Sequence, residues 1–215
     1  MKVAEMSVEY VDHLGSDINV VNAARVSFAK ESEEFDLIKD AKLINYLAKH
    51  NHFTPLAHTA VTLRLKAPIF MARQFVKHQI GLVWNEESRR YIDNEPEFYI
   101  PADYRGRPSN VKQGSSGNLE NSDILFDMVA KQSESTLKTY NELLEEGVAP
   151  EMARMVLPQN TMTNWVWTGS LVAFSRVVKL RMDSHAQEEA QVIAKMIDDV
   201  VSPLYPVSWK ALMEN

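Results

Sequence analysis

Apolar residues recur along the chain with two different periods, which together predict a mixture of strands and helices. Residues 60–66 alternate strictly between apolar and polar side chains, with Val61, Leu63 and Leu65 on one face, and this predicts a half-buried strand. Residues 2–11 alternate in a similar way and predict a first strand. Within 36–50, by contrast, the apolar positions follow helical spacing, at Leu37, Ala41, Ile44 and Ala48.

Helix start and stop signals extend this assignment over the rest of the chain. They predict helices over 17–26, from Pro68 to about His78, over 124–146, from Pro150 to before Pro158, and over 163–182 and 185–201. Ser122 or Asp123 is a suitable cap for the helix over 124–146, Gly147 ends it, and Ser184 with Gln187 forms a capping box for the last helix. Residues 79–122 carry turn signals and are expected to be irregular, with a mobile loop around 104–122.

Helices therefore dominate, and the predicted fold class is α+β, with long helices packed on a small, mostly antiparallel sheet. Neither a repeat nor an interdomain linker is evident, so residues 1–215 are expected to form a single domain.

Composition excludes several classes of protein. Hydrophobic residues make up 45% of the chain and charged residues 24%, as in an ordinary globular protein. The net charge of −6, without a basic stripe, argues against nucleic acid as a partner. We expect no membrane span and no signal peptide, and hence a cytoplasmic location. The chain has no cysteine, which excludes thiolate nucleophiles and thiolate metal sites.

The densest group of polar side chains lies in residues 73–91. Gln74, Lys77 and His78 are predicted to share one helix face, and a loop bearing arginines follows at once. Arginines bind phosphate and amides read a pyrimidine edge, so this group is suited to a nucleotide. A solvated helix end followed by a charged loop explains the same spacing equally well.

A second group of polar residues follows the apolar helix that ends near residue 182. Arg181 lies late in that helix, where a charge is expected to be paired or directed at a ligand. The following DSHAQ segment is better explained as a capping box than as a site. Arg154, in MARMVLP, is by itself a surface arginine.

Three histidines, at positions 50, 52 and 58, raise the question of a metal site. They straddle a predicted helix end and a loop, and turn formation by Asn51 and Pro55 explains the segment better. We therefore expect no metal.

Several segments, in order along the chain, resemble the flavin-dependent thymidylate synthases. They are AARVSF (23–28), HFTPLAH (52–58), KAPIFMARQ (66–74), KHQ followed by NEESRRY (77–91), EFYIP (97–101), ARMVLP (153–158) and LRMDSHAQ (180–187). The family signature is Arg-His-Arg, a gap of seven residues, and Ser. Here Lys77 and Gln79 replace the two arginines, and eight residues separate Gln79 from Ser88.

Three further positions depart from the family pattern. Ala57 stands where the family usually has Glu, and Ser170 and Arg176 occupy positions where asparagines commonly help to hold the flavin. The two asparagine contacts are therefore not transferred to this chain.

The resemblance implies roles for specific residues. The FAD site would include Thr54, Lys77, His78, Gln79 and Glu86. The dUMP site would include Gln74, Lys77, Glu86, Glu87, Ser88, Arg89, Arg90, Arg154 and Arg181. Arg181 would be the catalytic residue, and the arginine matching Arg154 reaches dUMP from a neighbouring subunit in a homotetramer whose active sites are shared between subunits.

The resemblance also implies a reaction, the reductive methylation of dUMP to dTMP. Methylenetetrahydrofolate would supply the carbon, FAD would carry the hydride and NADPH would be the reductant. Two alternatives remain open from the residues: a non-catalytic flavin- or nucleotide-binding homologue, and a metal-dependent nucleotide hydrolase that uses the three histidines.

Overall fold

Six strands and eight helices make up the regular structure of the part of the chain that the computed structural model describes, residues 1–109 and 114–215. The strands are β1 Lys2–Val3, β2 Ser7–Leu14, β3 Ala60–Pro68, β4 Leu82–Glu86, β5 Glu97–Phe98 and β6 Met162–Gly169. The helices are α1 Asp17–Arg25, α2 Lys39–Lys49, α3 Ile69–Phe75, α4 Ser122–Glu145, α5 Pro150–Ala153, α6 Leu171–Arg181, α7 Glu188–Val201 and α8 Pro206–Glu214. Short 3-10 helices lie at Val26–Phe28, Pro55–His58 and Arg154–Val156.

The sheet is small, as the sequence predicts. Four strands form it in the order β2-β3-β6-β4, and β1 and β5 form a separate short parallel pair. The predicted α+β class, with helices and a small antiparallel sheet, is confirmed.

The chain divides into two compact units, each assembled from separate stretches. The first unit comprises Met1–Ser7, Leu65–Lys77 and Asn85–Trp165, and the second comprises Val8–Arg64, His78–Trp84 and Val166–Asn215. The expectation of a single domain over 1–215 stays a prediction.

The core of the second unit is formed mainly by helices. Val20, Val21, Ile44 and Leu56 are fully buried in one apolar cluster. Asp17 is buried in this unit, and its carboxylate accepts the backbone N–H groups of Val207 and Ser208 at 3.0 and 2.8 Å. This anchors the first turn of α8, a helix that the sequence reasoning did not predict.

The core of the first unit lies against the long helix α4. Phe98, Leu137, Tyr140 and Ala153 form its buried apolar cluster. Gly147 has a φ of +83°, and it ends the helix as predicted. The N-cap is Asn121 and not Ser122 or Asp123. Ser122 is the first helical residue, and its hydroxyl donates to the Leu119 carbonyl and accepts the Tyr104 N–H.

The largest error of the sequence reasoning concerns residues 163–182, which were predicted to be mostly helical. Met162–Gly169 is strand β6, and only Leu171–Arg181 is helical. Trp165 and Trp167 are buried and alternate with half-buried neighbours, which is the period of a strand. Aromatic and β-branched residues favour that conformation, and the helical assignment overlooked this signal.

The N-terminal prediction and the second helix also need correction at their ends. The strand predicted over 2–11 is two strands, β1 and β2, separated by residues 4–6. Helix α2 begins at Lys39, and Leu37, which was predicted to lie on its buried face, is 76% exposed. The predicted capping box of Ser184 and Gln187 is not formed, because α7 begins at Glu188 with Gln187 itself as the N-cap.

Residues 104–122 were predicted to be a mobile loop, and 110–113 lie outside the described residues. On either side, Arg105 and Asn118 form a β-bridge, and Leu119 N–H donates to the Tyr104 carbonyl at 2.7 Å. Mobility of this loop stays a prediction. Of the helices in the described part of the chain, none is both long enough and apolar enough to cross a membrane.

Candidate functional site

The segment after α3 carries the first group of predicted site residues. Helix α3 ends at Phe75, so Gln74, Lys77 and His78 do not share a helix face as the sequence predicted. Lys77 lies in the turn that follows the helix, and His78 begins a short segment, 78–81, that ends in a second turn at Gly81. Gly81 has a φ of +76°, a left-handed conformation that only glycine adopts at little cost, and it lies directly before β4.

His78 contacts Arg181, which lies 103 residues later in the sequence. The Nε–H of Arg181 donates to Nε2 of His78 at 3.0 Å, and both side chains are half-buried. Burial lowers the pKa of His78 below its ordinary value, and the nearby Arg181 guanidinium lowers it further. Burial also lowers the pKa of Arg181. The structure therefore pairs the Arg181 guanidinium with a neutral imidazole.

Helix α6 determines where Arg181 lies. It is capped by Ser170, whose Oγ accepts the Ala173 N–H at 3.2 Å. Its buried face includes Phe174, which meets the Trp167 ring edge-on at 5.3 Å between centroids. Arg176 is exposed on the same helix, so the two arginines of α6 are in different environments.

Two neighbouring carboxylates, Glu86 and Glu87, are held by strand β6. The Thr163 hydroxyl donates to Glu86 Oε1 at 2.9 Å. The Asn164 amide donates to Glu87 Oε2 at 2.8 Å, and the Glu87 N–H donates to the Asn164 carbonyl at 2.8 Å. Sequence reasoning missed Thr163 and Asn164 because it assigned them to a helix, and it missed β4 because it treated 79–122 as irregular.

The loop after β4 folds back on Ser88. The Ser88 Oγ accepts Nε–H of Arg90 at 3.1 Å, and the Tyr91 N–H donates to the Ser88 carbonyl at 3.0 Å. The Arg90 guanidinium also lies over the Tyr91 ring, 4.7 Å from its centroid. Ser88 is thus bonded to a permanent cation, and this contact cannot activate it as a nucleophile.

The Arg89 side chain is also engaged with its own loop. Its Nη1 donates to the Asn94 carbonyl at 2.8 Å, while its Nε is buried without a hydrogen-bond partner. It lines a small polar pocket of about 190 Å³ together with Lys2, Glu87, Asn94, Glu95, Glu97, Met162 and Asn164.

The remaining dUMP candidates of the first unit are Gln74 and Arg154. Gln74 is half-buried on α3. Arg154 begins the 3-10 helix after α5, where its Nε donates to the Glu151 carbonyl at 3.2 Å. It is exposed, and so are its apolar neighbours Met152 and Met155.

Thr54 lies in a separate pocket of the second unit, with a volume of about 630 Å³. The lining is largely apolar and aromatic, and consists of Ala23, Ala24, Ser27, Phe28, Leu43, Tyr46, Leu47, Asn51, His52, Phe53, Thr54, Pro55 and His58. A concave, mostly apolar surface with a few polar groups is typical of sites for planar ligands.

Two of the three histidines considered for a metal site, His50 and His52, pack against an aromatic ring. The rings of His50 and His52 lie 4.4 and 5.9 Å from that of Tyr46, and 6.3 Å from each other. Among the residues described, no cluster of three or more His, Cys, Asp or Glu side chains could hold a metal ion.

Comparison with known proteins identifies the family. The family model described as thymidylate synthase complementing protein matches residues 9–207. The flavin-dependent thymidylate synthase of Thermosipho africanus is 39% identical over 207 residues, which is 95% of this chain and 89% of that protein. This chain belongs to the flavin-dependent thymidylate synthase family.

Other flavin-dependent thymidylate synthases and related structures agree with this assignment. The enzyme of Thermus thermophilus is 38% identical over 97% of this chain and 76% of its own length. The crystal structure of the UMP/dUMP methylase PolB from Streptomyces cacaoi, bound with 5-Br dUMP, has a TM-score of 0.89 and 30% identity. The structural match includes 100% of this chain and 97% of the PolB chain.

Proposed function

We propose that this protein makes dTMP from dUMP by reductive methylation, with FAD as hydride carrier, NADPH as reductant and methylenetetrahydrofolate as carbon donor. The observation that carries this proposal is family membership across residues 9–207, in a chain without cysteine. A cysteine thiolate that adds to C6 can make C5 of uracil nucleophilic, but a chain without cysteine cannot use this route. Other groups therefore have to activate the ring.

Arg181 is the residue proposed to activate the ring. As negative charge develops at N3 and O2 of uracil, a guanidinium stabilises it through its N–H donors. Arg181 suits this role because it is a permanent cation that is half-buried at the end of α6, where it also contacts His78.

The remaining dUMP roles follow the family resemblance. Arg90 and Arg154 would bind phosphate, and Glu86, Glu87 and Ser88 would orient the sugar and base, together with Gln74 and Lys77. Arg89 would contribute mainly by holding its loop, because its Nη1 is engaged with the Asn94 carbonyl.

Flavin binding is proposed for Thr54, Lys77, His78, Gln79 and Glu86. The pocket around Thr54 fits a planar group, since aromatic and apolar side chains line it and its volume is about 630 Å³. When bound, FAD would supply the hydride that completes the methyl group. The protein's own contribution is to bind and orient the substrates and to stabilise developing charge.

We also propose a homotetramer in which Arg154 serves a neighbouring subunit's site. Arg154, Met152 and Met155 are exposed together in the single chain, and exposed apolar residues beside an arginine are typical of an interface.

A labelled-carbon assay tests the reaction. With the carbon-13 label in the methylene group of the folate, we expect dTMP that contains one labelled carbon. A UMP arm belongs in the same assay, because PolB is described as a UMP/dUMP methylase and has been solved with 5-Br UMP as well. Bound flavin without labelled product would instead support the non-catalytic homologue.

A further inference from the structure

The contact between His78 and Arg181 is the starting point of a second proposal. The two side chains meet at 3.0 Å, from Arg181 Nε to His78 Nε2, although they belong to distant parts of the sequence. We propose that His78 is a positioning residue, which orients the Arg181 guanidinium for the uracil ring. This proposal rests on the catalytic role proposed for Arg181.

The protonation state of His78 follows from the direction of this hydrogen bond. Arg181 can only donate, so Nε2 of His78 must accept, and the imidazole is neutral with its proton on Nδ1. The lowered pKa of His78 agrees with this state at neutral pH. Because Arg181 Nε–H is directed at His78, the orientations open to the guanidinium are restricted, and its other N–H groups lie in the same plane as Nε–H.

The segment 78–81, which carries His78 and ends in the turn at Gly81, also contacts helix α6. The Ser170 N–H donates to the Gly81 carbonyl at 3.3 Å, at the start of that helix. A Cβ added at Gly81 would lie 3.1 Å from Cβ of Ala173, which shows how closely the turn approaches. The segment therefore contacts α6 near its first residues through Gly81 and at its last residue through His78. These two contacts restrict the position of His78, and so of the Nε2 atom that accepts the Arg181 hydrogen bond.

A direct flavin contact is the other role that the family resemblance implies for His78, and the two roles predict different kinetics. A residue that only orients Arg181 affects turnover and leaves FAD affinity nearly unchanged. A residue that only contacts flavin affects FAD affinity first.

Two variants separate these roles. His78→Gln keeps a neutral acceptor at this position, whereas His78→Leu removes the acceptor at a similar volume. We expect His78→Leu to lower kcat by about tenfold or more, since small errors of orientation are costly. His78→Gln should regain part of that loss, and for both variants kcat is measured at saturating FAD, so that any change in FAD affinity is recorded separately as a change in Kd. An unchanged kcat at saturating FAD in His78→Leu would overturn the proposal.

The double variant His78→Leu/Arg181→Ala gives the sharpest test. If His78 acts through Arg181, its loss should cost nothing further once Arg181 is gone, and kcat should equal that of Arg181→Ala alone. A further fall of about tenfold in the double variant would contradict the proposal, because His78 would then act independently of Arg181.

A stability cycle on the protein without substrates distinguishes failure of this proposal from failure of the proposed function. Urea midpoints of wild type, the two single variants and the double variant should be non-additive, because the two side chains share a hydrogen bond. If the midpoints are non-additive but the wild type forms no dTMP, the proposed reaction is refuted while the contact between His78 and Arg181 is supported. If the midpoints are additive and the wild type forms dTMP normally, only the positioning role of His78 is refuted.

Discussion

At the scale of single residues, two arginines of one helix offer a direct comparison. Arg181 is half-buried and bonded to His78, whereas Arg176 is exposed. Both are permanent cations on α6, so they differ in environment and not in chemistry. If catalysis requires a cation at a defined place, replacing only one of these two arginines should lower turnover.

We predict that Arg181→Ala lowers kcat for dTMP formation by about two orders of magnitude while FAD remains bound. The reason is the loss of N–H donors to the charge that develops on the uracil ring. Arg176→Ala is the matched control, and its turnover should stay near that of wild type. Equal turnover of the two variants would remove Arg181 from the mechanism.

Thr163 is predicted to support dUMP binding through Glu86. Thr163→Val removes the hydroxyl that donates to Glu86 Oε1, so the carboxylate loses a charge-assisted hydrogen bond. We expect the KM for dUMP to rise by roughly tenfold at most, the equivalent of one such bond. Thr168→Val is the control, because Thr168 bonds Thr62 at 3.0 Å instead. An unchanged KM in Thr163→Val would show that Glu86 needs no such support.

At the scale of elements, the sequence predicted those with a strong, uninterrupted period and missed those that needed tertiary information. Strand β3 was predicted within two residues, because its apolar alternation is strict and Val61, Leu63 and Leu65 are fully buried. Strand β6 was missed because it joins α6 after one residue, Ser170, and both segments are apolar.

The candidate site shows the same division. The resemblance named Glu86, Glu87 and Arg181 from their motifs alone. Their partners Thr163, Asn164 and His78 became evident only from the fold, because a hydrogen bond between residues 77 or 103 positions apart leaves no local pattern.

The turn before β4 makes a prediction about glycine. Gly81→Ala should destabilise the protein by more than Gly147→Ala, although both positions have a positive φ, of +76° and +83°. The left-handed conformation costs an alanine about 1 kcal/mol at either site. At Gly81 the added Cβ also lies 3.1 Å from Ala173, while at Gly147 it meets nothing within 4 Å. Urea denaturation midpoints measure the difference, and equal shifts would contradict the close approach.

The altered signature makes a further prediction for the same turn. Restoring arginine at Lys77 and Gln79 should tighten FAD binding or leave it unchanged, because arginine adds planar, charged donors. Titration of FAD against the double variant measures this. A large loss of affinity would mean that the longer gap before Ser88 has changed the path of the loop.

At the scale of the whole molecule, the proposed sharing of sites between subunits can be tested by mixing. Arg154→Ala and Arg181→Ala should each be nearly inactive. In a mixed oligomer, one site can combine Arg181 from the first variant with Arg154 from the second. After unfolding and refolding together in equal amounts, we expect activity to recover to about a quarter of wild type, as random pairing requires. No recovery above the single variants would place Arg154 in its own subunit's site, or outside any site.

The central claim is flavin-dependent formation of dTMP, and anaerobic turnover tests it most directly. Purified protein is incubated with FAD, NADPH, methylenetetrahydrofolate and dUMP, each is omitted in turn, and dTMP is measured by mass. We predict that dTMP forms in the complete mixture and is lost when any one of the four is left out, once FAD carried over from purification has been removed. No dTMP from the complete mixture, or dTMP that forms equally well without FAD, would contradict the account.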